Sequence, residues 1–314
     1  MHHTIDKPSP WPHLVFRYGP DSYRPRLVRK DGYPLESRPN ILPGKPPVTI
    51  VVGFISKGGI AFGSDSQMTK DSTKVLNSQK IFTIKFPCPG MTSEVLLAQS
   101  GFADIGAIVI DKLQTIAHKT KFDSWDVPIK AMKQVLREVR RELWENITMP
   151  NDTEEDRQKF FIRNNTSFLL GYYFTGDKPT TFVPHLYSFD LAMGHEIKAK
   201  NGVGILGSGG ELAEFVMRSI DFSEFGFAQA SVAAIYIIEQ VKESNLYCSG
   251  RTQMSGIMAP AYKVRLPLVT ELPRKRIEDT IELLSEREAN LRTAFKREID
   301  EVISEVVKKQ KKSQ

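Results

Sequence analysis

Thr49, Asp65 and Lys80 are the residues of this chain whose types and spacing could do chemistry together. They lie in TIVVGFISKGGIAFGSDSQMTKDSTKVLNSQKIFTI, the stretch from Thr49 to Ile84. A threonine hydroxyl is a weak nucleophile at neutral pH and needs a base within hydrogen-bond reach. A lysine charge beside that oxygen lowers the hydroxyl pKa, and a carboxylate paired with the lysine keeps it charged and oriented. Thr49 opens an apolar run, Ile50 to Ile55, and a turn at Lys57, Gly58 and Gly59 leads to a second run, Ile60 to Gly63, that closes at Asp65. That pattern predicts a hairpin. A polar connection from Gln67 to Ser78 then brings Lys80 to a third apolar segment, Ile81 to Ile84, and adjacent strands would hold the three side chains at one sheet end. Each residue also has a plain reading. Threonine is common in strands, an exposed Asp and Lys pair is usually worth under ~1 kcal/mol, and Cys248 reads as a small buried residue.

The elements that must position this group follow from periodicity. Ile105, Ile108, Val109, Lys112, Leu113 and Ile116 recur at helical spacing, and Ile129, Met132, Leu136, Val139 and Leu143 do so after Pro128. The charged insert Asn151 to Arg163 lacks an apolar period and is expected to be an exposed loop, its alternative being a fraying helix extension. Strands resume at Ser167 to Phe174 and Thr181 to Phe189. A second helix pair carries Leu212, Phe215, Val216 and Ile220, then Val232, Ile235, Tyr236 and Ile238, before a last strand near Ile257 to Leu266. Two strand sets alternating with two helix pairs imply an α+β chain layered helix, sheet, sheet, helix. From Pro273 onward, Ile277, Ile281, Leu284, Leu291, Phe295, Ile299, Val302 and Val306 form an apolar stripe among charges. It describes one long amphipathic helix or a broken pair, folded onto its own domain or packed on a neighbouring subunit.

Composition sets the outer bounds. With 314 residues and 40% hydrophobic content, the chain can bury a sizeable core. The formal charge of +6 comes from 43 basic against 37 acidic residues, and much of the excess sits in Arg24 to Lys30 and Lys308 to Lys312. Without interleaved aromatics these runs argue against a nucleic-acid binder. Cys88 and Cys248 make neither a disulfide framework nor a Cys-x-x-Cys pair, and the six histidines lack ligand spacing, so no metal or other cofactor is expected. Reduced cysteines, the absence of a secretory leader and the absence of a bilayer-length apolar stretch predict a cytoplasmic protein with no membrane contact. Residues 1–48 are crowded with proline and lack periodicity, so they read as a poorly ordered propeptide or a non-translated extension. The remainder divides into a main domain, 49–268, and a helical tail, 269–314.

In order and spacing these landmarks resemble the β-type subunits of the proteasome and their bacterial relatives, the N-terminal nucleophile hydrolases. In that family the Thr becomes the first residue of the mature chain and begins a short strand with Gly at its fifth position, here Gly53. Asp65 matches the acidic residue ending the second strand, and Lys80 matches the Lys before the Ile-Phe pair at Ile81 and Phe82. Downstream, AQSGFADIG at Ala98 to Gly106 is similar to the small-residue turn before the first helix. HLYSFD at His185 to Asp190 and GSGGELAEF at Gly207 to Phe215 also resemble family segments. NLYCSG at Asn245 to Gly250 resembles Asp-x-x-Ser-Gly-Gly, with Asn245 in place of the Asp and Cys248 or Ser249 at the Ser position. The match runs from Thr49 to Val264.

The resemblance implies a four-layer αββα sandwich with a C-terminal helical extension, and a proteasome-like threonine peptidase. Its subunits would form a ring or a related open assembly acting on peptides or unfolded protein, with an ATP-dependent unfoldase as a further partner. Thr49 would be the nucleophile and its α-amino group, with a pKa near ~8, the base through a bridging water. Asp65 and Lys80 would tune the hydroxyl, the backbone at Ser100 and Gly101 would receive the oxyanion, and Ser208 and Ser249 would orient the amine or water. Ser208 in Gly-Ser-Gly equally reads as a helix N-cap. The rival readings are a non-catalytic ring subunit that keeps residues 1–48, and an amidohydrolase acting on a small amide. Autolysis in this family commonly follows a Gly. Here Val48, stiff and β-branched behind Pro46 and Pro47, disfavours it. Initiation at a GTG codon for residue 48, with loss of the initiator Met, is the preferred route to a free Thr49.

Overall fold

The computed structural model describes residues 14–17, 26–29, 49–70, 73–75, 78–88, 91–147, 153–163, 165–175, 182–192, 196–199, 202–217, 224–245, 248–258 and 268–312. Within residues 1–48, β1 (Leu14–Arg17) and β2 (Arg26–Arg29) pair antiparallel, and the rest of that segment, including Val48, lies outside the described residues. The anticipated hairpin is present as β3 (Val51–Ser56) and β4 (Gly59–Asp65), with Val51 opposite Ser64. The connection after it contains a short antiparallel pair, β5 (Met68–Lys70) and β6 (Thr73–Val75).

Two five-stranded antiparallel sheets build the domain. The first runs in the order β12 (Val203–Leu206), β3, β4, β13 (Thr252–Met258), β14 (Leu268–Glu271). The second runs β11 (Glu196–Lys198), β10 (Phe182–Asp190), β9 (Thr166–Thr175), β8 (Met91–Gly101), β7 (Ile81–Cys88). Lys80 therefore precedes an edge strand of the second sheet. The expectation that it shares a sheet with Thr49 and Asp65 is corrected: β7 folds back on β8 as a hairpin of the second sheet, and long-range pairing joins the β3–β4 hairpin to β12 and β13 instead.

Alternation along the strands explains the packing. On β8, Val95 and Leu97 enter a cluster with the helices, while Leu96 and Ala98 enter the cluster shared by both sheets. On β9, Phe168, Leu170 and Tyr172 alternate in the same way with Leu169 and Tyr173. Both faces are buried, so these strands read as continuous apolar runs. The helices α1 (Ala103–Lys119) and α2 (Val127–Ile147) fall where the periodicity predicts them and cover the second sheet. The first sheet contributes Ile50, Val52, Phe54 and Met254 to a cluster with α4 (Gly210–Met217) and α5 (Phe227–Ser244).

Four details differ from the sequence reading. The insert expected as a loop contains α3 (Glu154–Arg163), started by a reciprocal cap in which Thr153 N donates to Asp156 Oδ2 at 2.9 Å and Asp156 N to Thr153 Oγ1 at 3.3 Å. Phe161 anchors that helix in the core, 5% exposed, beneath the Arg140 guanidinium. The faces of α4 and α5 also differ, because Phe215 and Val232 are exposed while Ala213, Ala230, Ala233 and Ala234 are buried. Alanine lets the helix approach the sheet closely: a methyl group on Gly63 would meet Ala234 Cβ at 3.1 Å. Finally, β8, β11, β12 and β14 of the two sheets have no counterpart in the sequence reading, and β13 begins at Thr252 rather than near Ile257, with residues 259–267 outside the described ones. The tail is one helix, α6 (Arg274–Lys312). Among the described residues no helix is long and apolar enough to cross a membrane.

Candidate active site

Antiparallel pairing of β3 and β4 places Thr49, just before β3, beside Asp65 at the end of β4, where Asp65 N donates to Ile50 O at 3.2 Å. One carboxylate oxygen, Asp65 Oδ1, then accepts from Thr49 Oγ1 at 2.7 Å, from Ile50 N at 3.0 Å and from Lys80 Nζ at 2.6 Å. Lys80 Nζ also donates to Thr49 Oγ1 in a short hydrogen bond. Thr49, Asp65 and Lys80 are 3%, 0% and 5% exposed, so the triangle is shielded from water and its electrostatics are strong. Asp65 Oδ2 is buried without a hydrogen-bond partner among the described residues. Burial pulls the Lys80 pKa below the ordinary lysine value, and the charge and hydrogen bond of Asp65 only partly oppose it.

A glycine turn closes over this group. Gly207 has φ 98, a conformation open to glycine, and a methyl group there would overlap Thr49 O and come 3.0 Å from Ser100 Oγ. Gly209 N donates to Thr49 O at 3.4 Å. Ser208 sits exposed between these two contacts, and α4 follows at Gly210. Ser100, 6% exposed, and Gly101 end β8 against β9, with Gly101 at φ 118 and too close to Thr166 Cα and Asn165 O for a side chain.

Cys248, Ser249 and Gly250 lie at the same end of the first sheet, shortly before β13. Ser249 Oγ donates to Gln67 Oε1 in a short bond, and Gln67 N donates back to Ser249 O at 3.0 Å. Its described partner is thus Gln67, while Thr49 Oγ1 belongs to Asp65 and Lys80. Asn245 ends α5, its N–H donating to Val241 O at 2.8 Å and its carbonyl accepting from Cys248 N at 3.0 Å. Cys248 is 1% exposed, and its thiol pKa is pushed up to about 12, first by burial and then by Asp65, with Lys80 opposing. Such a thiol stays protonated and is no competing nucleophile.

Three glutamines around the triangle escape sequence reasoning. Gln67 is 1% exposed and holds the Ser249 segment. Gln99 N donates to Lys80 O at 3.0 Å. Gln253 takes Lys80 N on its Oε1 at 2.9 Å and gives its Nε2 to Ser78 O at 2.5 Å. The one available signal is parity: Gln253 shares a strand face with Ile257, which is fully buried between the sheets, and a polar side chain in such a row needs partners.

No sequence family and no curated protein matches the chain. Solved structures do. The chain is similar to Anbu from Pseudomonas aeruginosa, solved as the helical assembly of the Anbu complex, at 19% identity and TM-score 0.59 over 79% of this chain and 96% of that one. An Anbu (Gly-1) mutant from Hyphomicrobium sp. strain MC1 matches at 16% identity and TM-score 0.57, over 79% and 96% of the two chains. Anbu, the ancestral beta-subunit, from Yersinia bercovieri matches at 15% identity and TM-score 0.57, over 77% and 95%. The likeness establishes the fold.

Proposed function

We propose that this chain is a proteasome-like threonine peptidase with Thr49 as nucleophile, working within a ring-like or open helical assembly. The observation that carries the reading is the buried triangle in which Lys80 Nζ and Asp65 Oδ1 both bond Thr49 Oγ1. Two sheets with helices against each support the reading of an αββα sandwich, with 49–268 proposed as the hydrolase domain and 269–314 as its helical extension.

In this mechanism the chain is read with Thr49 at its N-terminus. The free α-amine takes the Thr49 hydroxyl proton through a water, and the oxygen attacks a peptide carbonyl. Lys80 stabilises negative charge developing on Oγ1, and Asp65 fixes Lys80 while receiving Ile50 N–H. Backbone N–H groups at Ser100 and Gly101 are the proposed oxyanion donors. The amine then protonates the leaving nitrogen, and water releases the acyl group from Thr49.

The test is turnover of fluorogenic peptides by protein whose N-terminus is sequenced as Thr49. Thr49→Ala should lower kcat by on the order of 10³-fold or more with an unchanged circular dichroism spectrum, and Lys80→Ala should be nearly as severe. A Thr49→Ala chain with wild-type turnover would sink the assignment. Wild-type protein that keeps residues 1–48 in its host and cleaves nothing would identify a structural subunit instead.

A further inference from the structure

The two sheets meet through side chains such as Val51, Phe62, Ile81, Leu96 and Leu169, a contact that resists separation but is weakly directional. Yet the triangle needs Lys80, from the edge of one sheet, to reach Thr49 and Asp65 at the end of the other. A small slip between the sheets would carry Nζ away from Oγ1. Some directional bond must set the register.

Gln253 stands where such a bond is needed. On β13 it pairs with Ser64, one residue from the Thr252 and Asp65 pair, and it lies on the face that Ile257 buries between the sheets. Residues 78–80 approach the edge strand β7, whose ladder with β8 begins at Ile81. The Gln253 amide meets two of the backbone groups that this approach presents: Oε1 accepts Lys80 N–H at 2.9 Å and Nε2 donates to Ser78 O at 2.5 Å. With Gln99 N on Lys80 O at 3.0 Å, the Lys80 backbone is held from both sheets. Ser78 N on Ser66 O at 2.9 Å adds a third tie, from the residue that follows Asp65.

We propose that Gln253 is the positioning residue for Lys80, a side-chain amide that ties the backbone of residues 78–80 to the first sheet and locks the register of the two sheets at the reacting end. It touches no reacting atom. The inference rests on the threonine-hydrolase reading and assigns one more residue to it.

The test uses the full chain and two substitutions. Gln253→Met keeps the length and removes both hydrogen bonds, while Gln253→Glu keeps an acceptor for Lys80 N–H and loses the donor to Ser78 O. Hydrogen exchange should show the Lys80 amide losing protection in Gln253→Met and keeping most of it in Gln253→Glu, with the β7–β8 and β4–β13 ladders unchanged in both. In chains that begin at Thr49, Gln253→Met should lower kcat roughly 10- to 100-fold at constant KM, with Gln253→Glu between it and wild type. An unchanged Lys80 amide, or protection lost equally across both sheets, overturns the proposal. Wild-type protein without Thr49-dependent turnover would instead overturn the hydrolase reading, and hydrogen exchange alone would then decide the role of Gln253.

Discussion

Two opposing pulls act on the proton of Lys80. Burial favours the neutral amine, and the charge and hydrogen bond of Asp65 favour the ammonium; burial wins, and the pKa falls below the ordinary 10.5. A folded-state value below the unfolded one means that, as pH rises, the folded chain gives up this proton first. Between the lowered value and 10.5 the unfolded chain binds more protons, so Lys80 costs stability below that window and the cost is relieved through it. Urea midpoints measured from neutral pH to above 10.5 should therefore rise in wild type relative to Lys80→Met. A difference between the two that stays flat with pH would contradict the burial account. At this scale the sequence was informative where chemistry and spacing coincide. Thr49, Asp65 and Lys80 stood out because a strand, a tight turn and a second strand bring the first two together, and a lysine beside a third apolar run completes a plausible set. Gln67 and Gln253 did not stand out, since a lone glutamine has no periodic or motif signature until its strand face is known.

The β3–β12 pair shows how a glycine becomes a packing device. Gly53 lies opposite Gly204, and Leu169 from the other sheet enters the notch that these two leave. A methyl group on Gly53 would come within 2.5 Å of Leu169 Cδ2 and 2.8 Å of Phe62 Cε1. Gly53→Ala should therefore destabilise the chain by about 1–3 kcal/mol through overpacking. Leu169→Ala should cost about 2–5 kcal/mol through the cavity it leaves. Because the added methyl fills part of that cavity, the double substitution should cost clearly less than the sum, and additive denaturation free energies would refute the notch. The glycine was visible in the sequence as a position, but its reason was not, because the partner leucine is more than a hundred residues away. The same limit explains the other elements. Long amphipathic helices such as α1 and α2 advertise themselves by local period. The faces of α4 and α5 were misread because the residues that matter there are alanines, weak in hydrophobicity and chosen for closeness. The helix α3 was misread because its signal is a cap at Thr153 and an aromatic anchor at Phe161, with no apolar period between them.

For the molecule as a whole, the mixture of strand sets and helices was legible from their order, and the assignment of β7 to the second sheet was not, since order along the chain does not fix which edges pair. The tail raises the remaining large-scale question. At 39 residues α6 is about 58 Å long, and among the described side chains its packing on the domain lies in its first half. Ile277 is buried there, Ile281 and Leu284 join the same cluster, and Gln240 Nε2 donates to Glu288 Oε2 at 2.9 Å. Farther along, Leu291 is 70% exposed and Ile299 42% exposed, which leaves apolar side chains without cover within this single chain. A second copy is the occupant that the proposed assembly supplies. Removing everything from Pro273 would test this poorly, because it would also strip Ile277 from the core. Deleting residues 293–314 leaves Ile277, Ile281, Leu284 and Glu288 in place, so the thermal midpoint at low protein concentration should not change. The mass of the particle in solution should fall relative to the full chain, and the difference should narrow as protein concentration increases. If light scattering instead gives the same subunit number for both chains across that range, the distal half of α6 plays no part in self-association, and the contact between copies must lie elsewhere on the domain.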